Sequence, residues 1–287
     1  MSDPLRQALQ AIWSTAAPAW GRHAEYVDAR GAAVADAMLD AADLRTGDHV
    51  LELGCGPGGV GLAAAEIVGA DGHVVLSDVA PEMTAIAAER ASARGLSNVA
   101  TAVLDLERID MPDASFDKVL CREALMLVAE PSVAAREAHR VVVPSGRAVF
   151  AVWGPPEDNP WLSTLINAVS AQLRSPVPPH GMPGPFALSG DGALAEVLTA
   201  GGFTDVAVRG VQSPMRMGTF DEWWNVVPSL AGPVAPILAS LPTELTTAIR
   251  ADAEATLTEF RTDDGYELPG LSLVGVGRNA VVQRQKE

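Results

Sequence analysis

The stretch Asp48-His-Val-Leu-Glu-Leu-Gly-Cys-Gly-Pro-Gly-Gly59 constrains this chain more than any other. Val50 to Leu53 reads as a short apolar strand that runs straight into a glycine-rich turn, and Val60 to Val68 reads as a helix. Lacking a Cβ, Gly54, Gly56 and Gly58 let the chain turn sharply and let a ligand approach the backbone. The following helix directs unpaired N–H groups at whatever lies in that turn. Strand, glycine turn and helix in this order make a nucleotide-type cofactor site at the carboxyl end of a parallel strand.

The glycines alone leave the cofactor open, because Gly54-x-Gly56-x-x-Gly59 also satisfies the dinucleotide pattern. Glu52 discriminates. A carboxylate at the strand tip does nothing for an anionic pyrophosphate, but it favours a cation in a partly dry cleft. S-adenosylmethionine carries a sulfonium and an ammonium. The later strands also end in acids. His73 to Asp78 reads as a second strand, with Asp78 lying 20 residues after Gly58, the spacing at which an acid reaches a ribose. Asn98 to Leu104 reads as a third strand and ends at Asp105-Leu106. Phe116 to Arg122 reads as the fourth, and Gly146 to Trp153 as the fifth, after the turn Pro144-Ser-Gly146.

Over about residues 45–155 this pattern, above all Glu52-Leu-Gly-Cys-Gly-Pro-Gly58, resembles the class I S-adenosylmethionine-dependent methyltransferases, in particular their UbiE-like branch, which acts mostly on small molecules. The resemblance implies that Glu52, Gly54, Cys55 and Gly56 bind S-adenosylmethionine from the loop. It implies that Asp78 holds the ribose, that Val79 and Met83 flank the adenine, that Asp105 with Leu106 meets the adenine amino group, and that Arg122 closes the site at the fourth strand's end. Each residue also has a plainer reading. Asp78 serves equally as an N-cap for the helix beginning at Pro81, Asp105 as a solvated loop acid, and Cys55 as a small loop residue with nothing beside it to stabilise a thiolate.

Strands and helices alternate from 48 to 153, with helices expected over 58–69, 81–95 and 131–143, which argues a parallel sheet covered on both faces. The expected fold is α/β: a Rossmann-like seven-stranded sheet, mostly parallel with an antiparallel last strand, flanked by helices. An N-terminal helical cap and helical substrate-roof insertions complete it. The cap is 1–44, where Leu5, Leu9 and Ile12, then Val34, Met38 and Leu39, recur at helical spacing. The core is 45–155 and 191–211. A lid insertion covers 156–190, a second roof insertion 212–266, and the last strand and C-terminus 267–287. Within the lid, Trp161 to Leu173 reads as a helix, and Ser175 to Pro185 is too rich in proline and glycine for regular structure. Val206 to Val211 reads as the sixth strand and Leu271 to Gly277 as the last.

Trp20 follows Pro18 and precedes Gly21, so it is expected in a helix break facing the cofactor or substrate; Trp13 reads equally as core padding. Trp223 or Trp224 is expected to line the acceptor pocket. Together with Phe220, Phe186 and Trp161 they favour a large apolar acceptor. Methyl transfer needs a base only if the acceptor must lose a proton. Glu123, His23 and His180 are candidates, Glu123 reading also as a helix N-terminal acid, and none is assigned.

Net charge is −16, from 20 basic and 36 acidic residues, and the lysines are Lys118 and Lys286 alone. That opposes binding to nucleic acid, which rests on neutralising phosphates. No membrane-length apolar run, secretory start or metal-ligand pair appears. Two cysteines, Cys55 and Cys121, read as reduced thiols. The expectation is a cytoplasmic monomer or homodimer acting on a small molecule, without a metal. A non-methylating enzyme of the same fold, such as a cyclase, is the alternative. A nicotinamide-dependent reductase is a third class, which Glu52 and Asp105 argue against.

Overall fold

The computed structural model of the protein describes residues 3–179 and 182–280. Three helices lead: α1 (Asp3–Arg22), α2 (Ala24–Arg30) and α3 (Ala32–Ala42). The chain then alternates through β1 (His49–Leu53), α4 (Gly59–Val68), β2 (His73–Asp78), α5 (Pro81–Ala93) and β3 (Val99–Val103). After these come β4 (Phe116–Arg122), α6 (Pro131–Val141) and β5 (Val142–Trp153). The second half adds α7 (Pro160–Leu173), α8 (Ala193–Ala200), β6 (Thr204–Gln212), β7 (Met215–Met217), α9 (Phe220–Leu230), α10 (Val234–Ser240) and α11 (Thr243–Leu257). It ends with β8 (Arg261–Thr262), β9 (Gly265–Leu268) and β10 (Leu271–Arg278).

Seven strands form one sheet in the order β3-β2-β1-β4-β5-β10-β6. β1, β2, β3, β4 and β5 run parallel and the last strand is antiparallel, as the sequence leads one to expect; the structure inserts that strand, β10, between β5 and β6. Val50, Leu51 and Leu53 are fully buried, so β1 is covered on both faces. This is why it reads as a continuous apolar run rather than an alternation. One face carries α3, α4 and α5 over Val50, Val74 and Leu120; the other packs α6, α7, α8 and the roof helices over Leu51, Val119 and Phe150. The strand order reverses between β1 and β4, and at such a switch point the carboxyl ends part and leave a crevice.

Three expectations are corrected. There is no helix break at Pro18: α1 continues to Arg22 with Pro18 inside it, and the chain turns at His23. Proline forfeits one helical hydrogen bond; near the helix end that loss is offset by packing of the buried Ala17 against Ala80 and Met83. β5 starts at Val142, not Gly146, because Ser145 and Gly146 pair with Asn279 through main-chain bonds of 2.8 and 3.0 Å. The roof also holds a small sheet, β7-β9-β8, whose strands of three, four and two residues are too short for a period to show. No described helix is long and apolar enough to cross a membrane.

Candidate active site

Two adjoining cavities open at the carboxyl ends of the parallel strands. The first has about 950 Å³ of unfilled space, its mouth included, and every residue expected at the cofactor lines it. Glu52, Gly54, Cys55 and Gly56 come from the end of β1 and its turn; Asp78, Val79 and Met83 follow β2; Asp105 and Leu106 follow β3; Arg122 ends β4. At Gly54, with φ 61°, a side chain would be doubly excluded, since a Cβ there would overlap that of Ala124.

Glu52 is buried, and its Oε2 accepts the N–H of Gly61 at 2.9 Å, binding the strand tip to the first turn of α4. Gly61 has no room for a Cβ, which would run into Leu76 and the Glu52 carboxylate. Burial pushes the Glu52 carboxyl up to about 8, against the pull of the Arg122 charge and the Gly61 N–H, with Asp28 and Asp78 adding to the rise. The negative field that the sequence leads one to expect is therefore held in reserve near neutral pH. It appears when the proton leaves.

Asp78 does not cap the next helix; the residue in that position is Ala80. Its Oδ2 accepts the N–H of Gly56 at 3.0 Å and its Oδ1 that of Ala80 at 3.0 Å, so it braces the glycine turn from below. Asp105 is half-buried in the cavity wall, with Oδ1 accepting the N–H of Glu107 at 2.8 Å. The Cys55 thiol is pushed up by burial and stays protonated.

The second cavity has about 1090 Å³ of unfilled space and is mostly apolar. Leu9, Trp13, Trp20, Leu127 and Glu123 line both cavities and form their common wall. Trp13 and Trp20 meet edge to face at 6.2 Å, so both belong to the site. The Nε1 of Trp20 is buried and makes no hydrogen bond among the described residues. Val177, Pro178, Pro183, Gly184 and Pro185 of the proline-rich loop cover this cavity, while His180 lies outside the described residues. His23 lines neither cavity.

Trp223 and Trp224 line neither cavity either. Trp223 is 1% exposed, stacks on Phe220 at 5.4 Å, and donates from Nε1 to the carbonyl of Trp161 at 3.0 Å. Trp224 stacks on the same ring at 6.3 Å. The amphipathic face of α9 turns its aromatics into the roof's own core. Trp161 does line the second cavity, and Asn159 holds it there by accepting its Nε1–H at 3.1 Å.

Glu123, left unassigned on sequence, stands at the junction. It follows β4 in the left-handed region, φ 59°, while its N–H still donates to Ala151 at 2.7 Å. A non-glycine residue there costs about 1–3 kcal/mol. Its Oε1 accepts from the buried Ser272 hydroxyl at 3.2 Å. Burial raises its pKa, against the charges of Arg122 and Arg30. It is not a helix N-terminal acid, since the three-residue 3₁₀ turn after it starts at Leu125.

Sequence reasoning missed Arg30, Tyr26 and Trp153, which line the second cavity. It also missed Arg90, which donates to the Pro57 carbonyl at 2.8 Å and pairs with Asp28 at 2.5 Å and Glu25 at 3.0 Å, latching α2 onto the glycine turn. No local pattern marks these residues, because their partners are distant in sequence.

Residues 44–171 match the family model described as a methyltransferase domain. Nocamycin O-methyltransferase of Saccharothrix syringae is 33% identical over 60% of this chain and 65% of its own length. The ubiquinone/menaquinone biosynthesis C-methyltransferase UbiE of Cellvibrio japonicus is 30% identical over 47% of this chain and 54% of its own. The chain thus spans between half and two thirds of these two relatives. Among solved structures, the YcgJ protein of Bacillus subtilis shares the fold, with a TM-score of 0.58 at 20% identity, over 86% of this chain and 98% of that one. The glycine turn, the strand-end acids and the five parallel strands that carry them all lie within residues 44–171, the part of the chain that matches a methyltransferase domain.

Proposed function

We propose that this protein transfers a methyl group from S-adenosylmethionine to a small, largely apolar acceptor held in the second cavity, with attack from an oxygen, nitrogen or carbon of that acceptor. The observation that carries the reading is the common wall between two cavities, one lined by cofactor-type acids and one by apolar side chains, with Glu123 standing in it. The first cavity suits the cofactor. Its acids are placed for ribose hydroxyls and for positive charge, and Val79, Met83 and Leu106 offer an apolar bed for a base. When bound, S-adenosylmethionine supplies a methyl carbon made electrophilic by its sulfonium.

The chain's own residues do the rest. Asp78 and Asp105 would hold the ribose and the adenine amino group, and Glu52 the positive end. The cap (1–44) and the two insertions exclude water and fix the acceptor, and positioning of that kind accounts for much of the acceleration in a displacement reaction. Glu123, its pKa raised by burial, takes the proton from an acceptor O–H or N–H. The acidic composition suits a small-molecule enzyme of the cytoplasm, and the nocamycin relative is in keeping with specialised metabolism.

Calorimetry tests the cofactor. S-adenosylmethionine and S-adenosylhomocysteine should bind, and NADH should not. The reading is overturned if NADH binds and the sulfur compounds do not. A panel of aromatic and enolic acceptors with methyl-labelled cofactor, read by mass, then tests transfer. Cofactor binding with an acceptor rearranged but not methylated would replace the reading by the cyclase alternative.

Glu52 gives a pH signature. Cation binding favours its ionised form, so affinity for S-adenosylmethionine should rise with pH as the proton comes off a carboxyl that titrates at about 8 in the free protein. Between about pH 6 and 7.5, below the titration of most α-amino groups, the gain should be about tenfold or more and accompanied by proton release. Glu52→Gln should flatten that slope. A flat wild-type profile would show that binding does not change the protonation of Glu52, and would end this use of its charge.

A further inference from the structure

Glu123 is held by a residue 149 positions further along the chain. Ser272 of β10 stands directly opposite Trp153 of β5 in their antiparallel pair, so the two side chains leave the same face of the sheet. Trp153 reaches the second cavity. Ser272 stops short of it. It is fully buried, and its hydroxyl donates to Oε1 of Glu123 at 3.2 Å. A hydroxyl buried in a sheet costs free energy unless it finds a partner, and the partner here is the carboxylate at the junction of the two cavities. Among the described residues no other donor reaches that carboxylate, so Oε2 has no partner from the chain. Arg122 of β4 and Arg30 of α2 act on Glu123 through their charge. Charge at a distance sets no direction, whereas a hydrogen bond does.

Both ends of this bond rest on backbone that is fixed without a ligand. The buried Asn159 accepts the N–H of Leu271 at 3.1 Å and donates to its carbonyl at 3.0 Å, and the N–H of Gly154 donates to the same carbonyl at 2.8 Å. That clamp sets the residue before Ser272. Glu123 is pinned in the left-handed region by its own N–H bond to Ala151. Resting on the reading of Glu123 as the base, we propose that Ser272 is its positioning residue, tying Oε1 back to β10 so that Oε2 is the atom that takes the acceptor's proton at the common wall. The proton passes from the acceptor O–H or N–H to Oε2. The electron pair it leaves stays on the acceptor atom, which bonds the methyl carbon as the carbon–sulfur pair departs with the sulfur. Ser272 keeps its own proton throughout and touches no reactant.

The test follows the Glu123 carboxyl carbon by NMR across pH, on the full chain labelled with carbon-13 at the glutamate side-chain carboxyls. Its signal is the one lost in Glu123→Gln. Ser272→Ala should move the midpoint up by about one pH unit, the scale of losing a hydrogen bond to a charged group. Ser272→Cys fills the site with a weaker donor and should move it up by less. On any acceptor methylated in the panel above, Ser272→Ala should lower the single-turnover rate at least about tenfold, with acceptor KM within a few-fold. It should have no further effect in the Glu123→Gln background. An unmoved midpoint in Ser272→Ala, or a rate loss that is as large in the Glu123→Gln background, overturns the proposal. Wild-type turnover by Glu123→Gln would instead overturn the reading of Glu123 as the base, with the Ser272 shift intact, so the two failures are separable.

Discussion

Replacing Glu123 by Gln should lower turnover by about 10²–10⁴-fold, the range for loss of a positioned general base, while cofactor affinity stays within a few-fold. The change keeps shape and removes only the ability to take a proton. The backbone at φ 59° and the bond from the Ser272 hydroxyl to Oε1 tolerate an amide as well as a carboxylate. Burial raises the carboxyl's pKa, so the wild-type rate should fall as pH drops through that raised value, as the base becomes protonated. The glutamine variant should lack this limb. The measurement is single-turnover methyl transfer at saturating cofactor across pH, with S-adenosylhomocysteine titrated in parallel. An unchanged rate in the variant would mean that the acceptor reaches the site already deprotonated and that Glu123 serves the junction's geometry alone.

Trp223→Ala should destabilise the protein by about 3–5 kcal/mol, the usual cost of truncating a buried aromatic. The ring is 1% exposed, stacked on Phe220, and bonded through Nε1 to the carbonyl of Trp161, so its removal opens a cavity and takes the added hydrogen bond from that helix carbonyl. Chemical denaturation should show the fall in midpoint. Trp224 is half-buried, and its truncation should cost less. Neither change should alter the acceptor KM of molecules that remain folded. A selective rise in acceptor KM with stability intact would return these tryptophans to the substrate pocket.

What was legible in the sequence is what is local. The bounds of β2 and β4 follow from apolar runs between polar residues, and His73–Asp78 and Phe116–Arg122 are read directly. The placement of acids at strand tips was legible for the same reason: strand, turn and acid are neighbours in the chain, and the sheet sets their common edge. The second cavity was not legible. Arg30 meets Trp153 and Trp161 across more than 120 residues, and no period records that meeting. Aromatic content pointed to Trp223 and Trp224, yet composition does not reveal which face of α9 turns toward the roof's core. The pKa of Glu52 escaped because a carboxylate at a strand tip reads as charged until its full burial is seen.

The seven residues of α2 divide the molecule's adaptability unevenly. Asp28 and Glu25 are tied through Arg90 to the carbonyl of Pro57 in the cofactor turn, and two positions beyond Asp28 the same helix presents Arg30 to the other cavity. Pro178, Val227 and Val234 border the second cavity from segments that contribute nothing to the first. Under the proposed function, acceptor range can therefore drift, in evolution or in the laboratory, through these segments at little risk to cofactor binding. A substitution in α2 is felt in both cavities at once. Retargeting such a methyltransferase would then be a matter of remodelling those segments while leaving this short helix alone.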